Sequence, residues 1–212
     1  VAVVADDGLT TTSQDFVVTV SNVEEQLALD EPTAGSVVED AATDTVTGTL
    51  SAQDGDNQSI SYELIGGTLA NGIYSVSGVY GSLSLNASTG DYTYTLDNAR
   101  TATNSLAANE GVSEAFAVRA SAGPHTTDIE TLTVNITGAN DTPAMITLSS
   151  HTVVENEPGA VVGVLSAVDA EGDTLTYTLS GTDADQFILD SDGKTLKLAT
   201  DVLADYEQQA SY

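Results

Sequence analysis

The sequence predicts an all-β chain built as tandem antiparallel Greek-key β-sandwiches. Three observations carry that expectation. Apolar and polar residues alternate with a period of two in short runs, clusters of Asp, Asn and Gly separate those runs, and part of the chain repeats at about one sandwich length. Helical periodicity is scarce.

The alternating runs come in chain order as FVVTV (16–20), SISYEL (59–64), GSLSL (81–85), DYTYTL (91–96), TLTVNI (131–136), TLTYTL (174–179) and KTLKL (194–198). Val, Ile, Thr and Tyr fit a pleated, half-buried surface, so each run is expected to be a strand. Between them stand DDG, DGDN, ASTGD, DAEGD and DSDG, whose residues tolerate turn backbone.

Self-similarity sets the domain organisation. Val37-Val38-Glu39-Asp40, Leu50-Ser51-Ala52-Gln53-Asp54-Gly55-Asp56 and Ser61-Tyr62-Glu63-Leu64 match Val153-Val154-Glu155-Asn156, Leu165-Ser166-Ala167-Val168-Asp169-Ala170-Glu171 and Thr176-Tyr177-Thr178-Leu179, at an offset of about 115 residues. A second match joins 5–20 (ADDGLTTTSQDFVVTV) to 120–134 (ASAGPHTTDIETLTV) with one gap, and both read as the end of a domain. The expected order is closing strands over 1–26, a whole sandwich over 27–143, and the opening part of another over 144–212. Reading the chain's end into its beginning gives one uninterrupted domain, as one period of an array cut inside a domain would.

Composition excludes several functions. With 32 acidic against 4 basic residues and a net charge of -28, the chain lacks the Lys and Arg needed to hold phosphate, so nucleic acid and anionic lipid are not expected partners. No Cys means no disulfide framework and no thiolate metal site, and 2 His are too few for most catalytic zinc centres. Hard cations bound by oxygen remain. No run of eighteen apolar residues exists, so no membrane insertion is expected from a helix.

The middle segment resembles the VCBS repeat of large bacterial surface proteins, through GSVVED (35–40), GTLSAQD (48–54), YGSLSLNASTGDYTYTLDN (80–98) and NITGANDTP (135–143). The outer pieces resemble bacterial cadherin-like domains, which have an immunoglobulin-like sandwich, through VVENEPG (153–159), SAVDAEGD (166–173), LADYE (203–207) and VAVVADDG (1–8). The resemblance implies a secreted or bacterial cell-surface adhesin, often of the RTX type, working in attachment and biofilm formation without catalysis. The glycine-rich nonapeptide of RTX proteins is missing, so the expected place is a mid-chain extender whose partners are neighbouring repeats of the same protein.

The cadherin pattern implies calcium at the junctions, held by an early Glu and a D-x-E pair above, an N-D linker, and a D-x-D turn below. Carried onto this sequence, the second junction offers Glu39, Asn140 and Asp141, and Asp169 and Glu171. The upper domain lacks an LDYE-like motif, its nearest candidate being Leu96-Asp97-Asn98, so one or two ions rather than three are expected there. At the first junction Glu25 stands where Asp141 stands, above the turn of Asp54 and Asp56. Its upper acids are lacking unless another chain supplies Glu155, Asp205 and Glu207. The plainer reading of these acids is turn chemistry, since Asp and Gly are what tight turns use. Asp190-Ser191-Asp192-Gly193 reads as a hairpin turn, and no segment has EF-hand spacing.

Two other functions compete. A chain this acidic contains carboxylate pairs that imitate a glycoside hydrolase by abundance alone, and His125 and His151 stand in turn-like and strand-edge contexts. A carbohydrate-binding module for surface or matrix polysaccharide would need exposed aromatic rings. Tyr74 and Tyr80 are the candidates, whereas Tyr62, Tyr92, Tyr94 and Tyr177 are expected to pack inside. The complementary outer pieces also predict homophilic head-to-tail association by strand complementation.

Overall fold

The computed structural model describes residues 1–23, 25–33, 35–56, 58–208 and 211; Glu24, Ala34, Asn57, Gln209, Ala210 and Tyr212 lie outside the described residues. Among the described residues the chain is strand and loop, with one 3₁₀ turn at Ala184–Gln186 and no α-helix.

The chain opens with a hairpin of β1 (Ala2–Asp6) and β2 (Thr11–Asp15), closed by a turn in which Gly8 takes a φ of +85°. All its residues are exposed. FVVTV forms no strand: β2 ends at Asp15, and 16–20 stay exposed with no sheet to lie on.

Residues 27–137 close a two-sheet sandwich. One sheet is ordered β5 (Thr45–Thr49), β11 (Asp91–Leu96), β10 (Gly81–Asn86), β9 (Ile73–Ser77), β8 (Thr68–Ala70), and β3 (Ala28–Leu29) and β6 (Ala52–Gln53) form a separate short pair. The other holds β13 (His125–Thr126), β12 (Gly111–Ala122), β14 (Glu130–Thr137) and β4 (Gly35–Val38), with β7 (Ile60–Leu64) on β12. β4 runs parallel to β14, unlike the other pairs; a connection this long leaves strand direction free, which a hairpin does not.

The period-two alternation sets the core. Leu83 and Leu85 on β10 face inward opposite Tyr94 and Tyr92 on β11, and Val118, Leu132, Val134 and Ile136 close the space from the other sheet. Tyr94 is fully buried against Phe116, ring centroids 5.9 Å apart. Its hydroxyl donates to Glu114 Oε2 at 2.7 Å, and Glu114 Oε1 accepts from the backbone N–H groups of Val79 and Tyr80. That buried carboxylate therefore pins the β9–β10 turn. Burial and the adjoining carboxylate hold the Tyr94 hydroxyl well above the ordinary phenol range.

Beyond the linker, β15 (Ala144–Leu148), β16 (Val161–Val168), β18 (Thr195–Leu198) and β17 (Phe187–Leu189) form one four-stranded sheet. Asp190–Gly193 is the expected hairpin turn between β17 and β18, with Gly193 N–H donating to the Asp190 carbonyl at 2.8 Å. The buried core here is small, centred on Ala160, Leu198 and Ala204. The expected strand at 174–179 is absent, as is any strand at 151–154. Their counterparts in the repeat, β7 and β4, pair with β12 and β14; residues 144–208 contain no such partner, and an alternating segment without a neighbour forms no ladder.

Candidate metal centre

Three segments meet at the second linker. β4 delivers Glu39 at its end, the chain leaving β14 delivers Asn140 and Asp141, and the turn after β16 delivers Asp169 and Glu171. Glu39 is 2% exposed, and its Oε2 accepts from Ala139 N–H at 3.0 Å. Asp141 N–H donates to Glu171 Oε1 at 2.7 Å, tying the linker to the turn below. Asp169 Oδ1 accepts from Asp173 N–H at 2.9 Å, and Asn140 turns its amide onto the Asp141 carbonyl at 2.6 Å.

The second oxygens distinguish this cluster from ordinary turns. Glu39 Oε1, Asp141 Oδ2 and Glu171 Oε2 are all buried without a hydrogen-bond partner. A turn aspartate spends its oxygens on backbone N–H groups; these keep one each. Burial pushes the Glu39 carboxyl above the usual range, and the charges of Asp141, Asp40 and Glu171 push the same way. Asp141 is raised likewise, by burial first and then by Asp40, Glu171 and Asp169.

Asp40 is the residue that sequence reasoning passed over. It occupies a left-handed backbone position with φ 54°, as Asn156 does at the same place in the repeat with φ 61°. Asp and Asn are the non-glycine residues that best tolerate this conformation, so a turn explains the residue type, and only the structure shows that its charge acts on Glu39 and Asp141. The only available signal was the pair of adjacent acids in VVED.

The first linker repeats the arrangement. Glu25 N–H donates to Asp56 Oδ2 at 2.9 Å, as Asp141 N–H does to Glu171. Gln58 N–H meets Asp54 Oδ2 at 2.5 Å, as Asp173 N–H meets Asp169. Asp54 Oδ1 is buried without a partner, and Asn22 Nδ2 donates to Asp56 Oδ1 at 3.0 Å. Gly55 lies so close to Glu25 that an added Cβ would come within 2.7 Å of its side chain.

A third group stands apart from both linkers. Glu155, Asp205 and Glu207 place one oxygen each within 4.8 Å of one another, and among the described residues they are the only acidic trio that close. Tyr206 N–H donates to Glu155 Oε2 at 3.1 Å, and Asn156 N–H to the Ala204 carbonyl at 2.9 Å, which fixes the trio. Asp97, the nearest match to LDYE, is instead paired with Arg100 at 3.1 Å. The structure gives both sugar candidates packing contacts: Tyr74 and Tyr80 are half-buried against the main core.

No family model matches the chain, and no curated protein matches it. Solved structures do. The extracellular domain of protocadherin gamma B4 is 22% identical over 94% of this chain and 30% of its own, with a TM-score of 0.51. PcdhgB3 EC1-4 is 22% identical over 98% and 49%, with a TM-score of 0.57. Extracellular cadherin domains 1-4 of protocadherin gamma B7 are 23% identical over 94% and 46%, with a TM-score of 0.52. The fold is cadherin-like. The chain spans less than half the length of these structures, and at this identity the likeness is one of fold. It supports a tandem sandwich and carries no statement about the acids.

Proposed function

We propose that this chain is an extender segment of a large extracellular bacterial adhesin, stiffened by calcium at its linkers and serving cell attachment and biofilm formation. The observation that carries this reading is that Glu39, Asp141 and Glu171, on three segments that meet at one linker, each keep a buried carboxylate oxygen without a hydrogen-bond partner. Calcium takes six to eight oxygens, largely carboxylate and carbonyl, so the donor set fits it. Glu39, Asp141, Asp169 and Glu171, with Asp40 nearby, would hold the ion at the second linker, and Glu25, Asp54 and Asp56 would supply the lower half of the first.

Magnitudes favour a mechanical role. A buried polar group left unpaired costs on the order of 1–3 kcal/mol, more when charged, so three such oxygens weaken the cation-free linker by several kcal/mol. Extracellular modules bind calcium with constants of about 0.1–1 mM, and at about a hundred times the constant each site adds about 2.7 kcal/mol. A few such sites together would rival the stability of a small domain, about 5–15 kcal/mol. The bound ion supplies charge neutralisation; the residues supply the bridge from one sandwich to the next. The reading is structural rather than catalytic, its division into 1–26, 27–143 and 144–212 is part of it, and its VCBS and RTX elements rest on sequence motifs alone. No helix among the described residues is long and apolar enough to cross a membrane.

Small-angle scattering during a calcium titration tests the proposal. The maximum dimension is expected to rise and the flexibility to fall with millimolar calcium, and Asp141→Asn with Glu171→Gln is expected to abolish both changes. Unchanged scattering, or calorimetry showing no calcium uptake, overturns it.

A further inference from the structure

Residues 64–90 contain no charged side chain, the longest such stretch in a chain of net charge -28. They form β8, β9 and β10, and β8 is the free edge of its sheet. We infer that β8 of one copy pairs antiparallel with β8 of a second copy of this chain, so that two five-stranded sheets continue as one. The inference draws on the middle sandwich alone and does not depend on calcium.

Charge gives the first argument. A free strand edge is ordinarily protected by charge, proline or a bulge, because its unpaired N–H and C=O groups invite another strand. The other edges of this sandwich have an acid on them or within two residues: Asp44 precedes β5, Glu39 follows β4, Asp128 follows β13, and Glu63 stands on β7. β8 reads Thr68-Leu69-Ala70, and its register with β9 is unbroken. Its one protection is its length, which limits the contact to three residues from each copy. Two chains at -28 repel over most approaches, so an uncharged edge is where they can meet.

Backbone direction gives the second. The β8–β9 hairpin closes on Asn71–Gly72, both left-handed with φ 50° and 80°, as a two-residue type I′ turn requires. In such a hairpin Ala70 and Ile73 exchange the first ladder bonds, so the next pair, Leu69 and Tyr74, turns its N–H and C=O groups away from each other. Those of Leu69 therefore point out along the free edge. An antiparallel second copy with Leu69 opposite Leu69 exchanges both bonds, the N–H of each donating to the carbonyl of the other. The contact is the same surface on both copies, as a twofold dimer needs.

The side chains agree with that register. Leu69 stands on the same side as half-buried Tyr74 yet is 52% exposed. Pairing sets the two Leu69 side chains directly opposite each other on one face, where each covers the other. On the other face Thr68 of one copy meets Ala70 of the other, with no charge to bury. Two backbone bonds and one leucine pair cover far less than the roughly 1,000 Å² of a stable interface, so a single chain pairs weakly, with a dissociation constant on the order of 1 mM. Linked units reach effective concentrations of that order, so neighbouring strings would zip side by side. That extension alone rests on the extender reading.

The chain has no cysteine, so a disulfide can report the register. Opposed Cα atoms in such a pair lie about 5.5 Å apart, within disulfide reach. The full-length Leu69→Cys chain, in a glutathione buffer with chelator, is expected to give at least tenfold more disulfide dimer than Thr47→Cys, an exposed site on the opposite edge strand β5. In NMR spectra of the unmodified chain, raising its concentration to about 1 mM should move the amides of 68–70 first, and added salt should strengthen the effect by screening the repulsion. Leu69→Lys, at a half-exposed site, should abolish those shifts without lowering the thermal midpoint. Leu69→Pro, which removes only the outward N–H, should do the same. Equal cross-linking at position 47, shifts that spare 68–70, or association retained in both variants overturns the inference. A β8 contact in a chain that takes up no calcium would leave it standing and remove only the extender reading.

Discussion

Tyr62 and Tyr177 occupy one place in the repeat, in SYEL and TYTL, yet Tyr62 is buried in a paired strand and Tyr177 stands half-exposed in a segment without a ladder. The residues are equally suited to a strand; their neighbours differ. β7 has β12 beside it, and the segment at 174–179 has no ladder partner among the described residues. Strand formation in this chain is therefore decided by the availability of a partner edge rather than by local preference, as expected where propensity measures fit to a surface.

Hydrogen exchange should break the comparison most widely. Amides of β10, β11, β12 and β14 are expected to exchange about 10³-fold or more slowly than those of 174–179, matching a difference of about 4 kcal/mol or more in opening free energy. Comparable protection in both units would show that the second is closed after all. Next come matched core deletions. Leu85 and Leu198 are 1% and 0% exposed, but Leu198 already lines the open cavity. Leu85→Ala should cost about 2–5 kcal/mol in denaturant unfolding of the middle unit. Leu198→Ala should cost less, because the open cavity leaves its surroundings free to relax.

A smaller effect belongs to the buried clamp. Tyr94→Phe removes the donor to Glu114 Oε2 and should cost about 1–3 kcal/mol in the middle unit, leaving 144–208 unchanged by NMR. The smallest are pH effects of opposite sign. Glu39 and Asp141 have carboxyls raised in the folded chain, so their ionisation opposes folding. In chelator, the linker should gain stability as pH falls from neutral through their raised values toward the ordinary carboxylate range. Asp192 is lowered to about 2, chiefly by the Thr195 and Lys194 N–H groups. Its contribution to the β17–β18 turn is present above the ordinary value and is lost as pH falls toward 2. Carboxyl-carbon NMR titration reads each group separately; Glu39 and Asp192 moving the same way would contradict the assignment.

Much of this was legible in the sequence. The runs at 59–64, 81–85, 91–96, 131–136 and 194–198 became strands because each has a neighbour within its own unit. TLTYTL and FVVTV read equally well but did not, since periodicity reports which side of a segment is apolar and not whether a partner exists. The linker acids were legible because DGD and DAE recur in register with Glu39 and Glu155. Asp40 was not, because its left-handed backbone accounts for an aspartate without any second role. Nor could the sequence say which oxygens would be left over: that depends on where Ala139 N–H and Asp141 N–H fall.

The bond from Asp141 N–H to Glu171, repeated between Glu25 N–H and Asp56, has a consequence for tension along the chain. Each hinge carries a short neutral-donor fastening that requires no ion, beside the further oxygens through which the proposed calcium would act. Pulled from its ends, such a string would yield in two stages, first swivelling about the surviving fastening and only later letting the sandwiches part. Slack would be released before any domain unravelled, giving a tether that absorbs a jerk and then recovers its length.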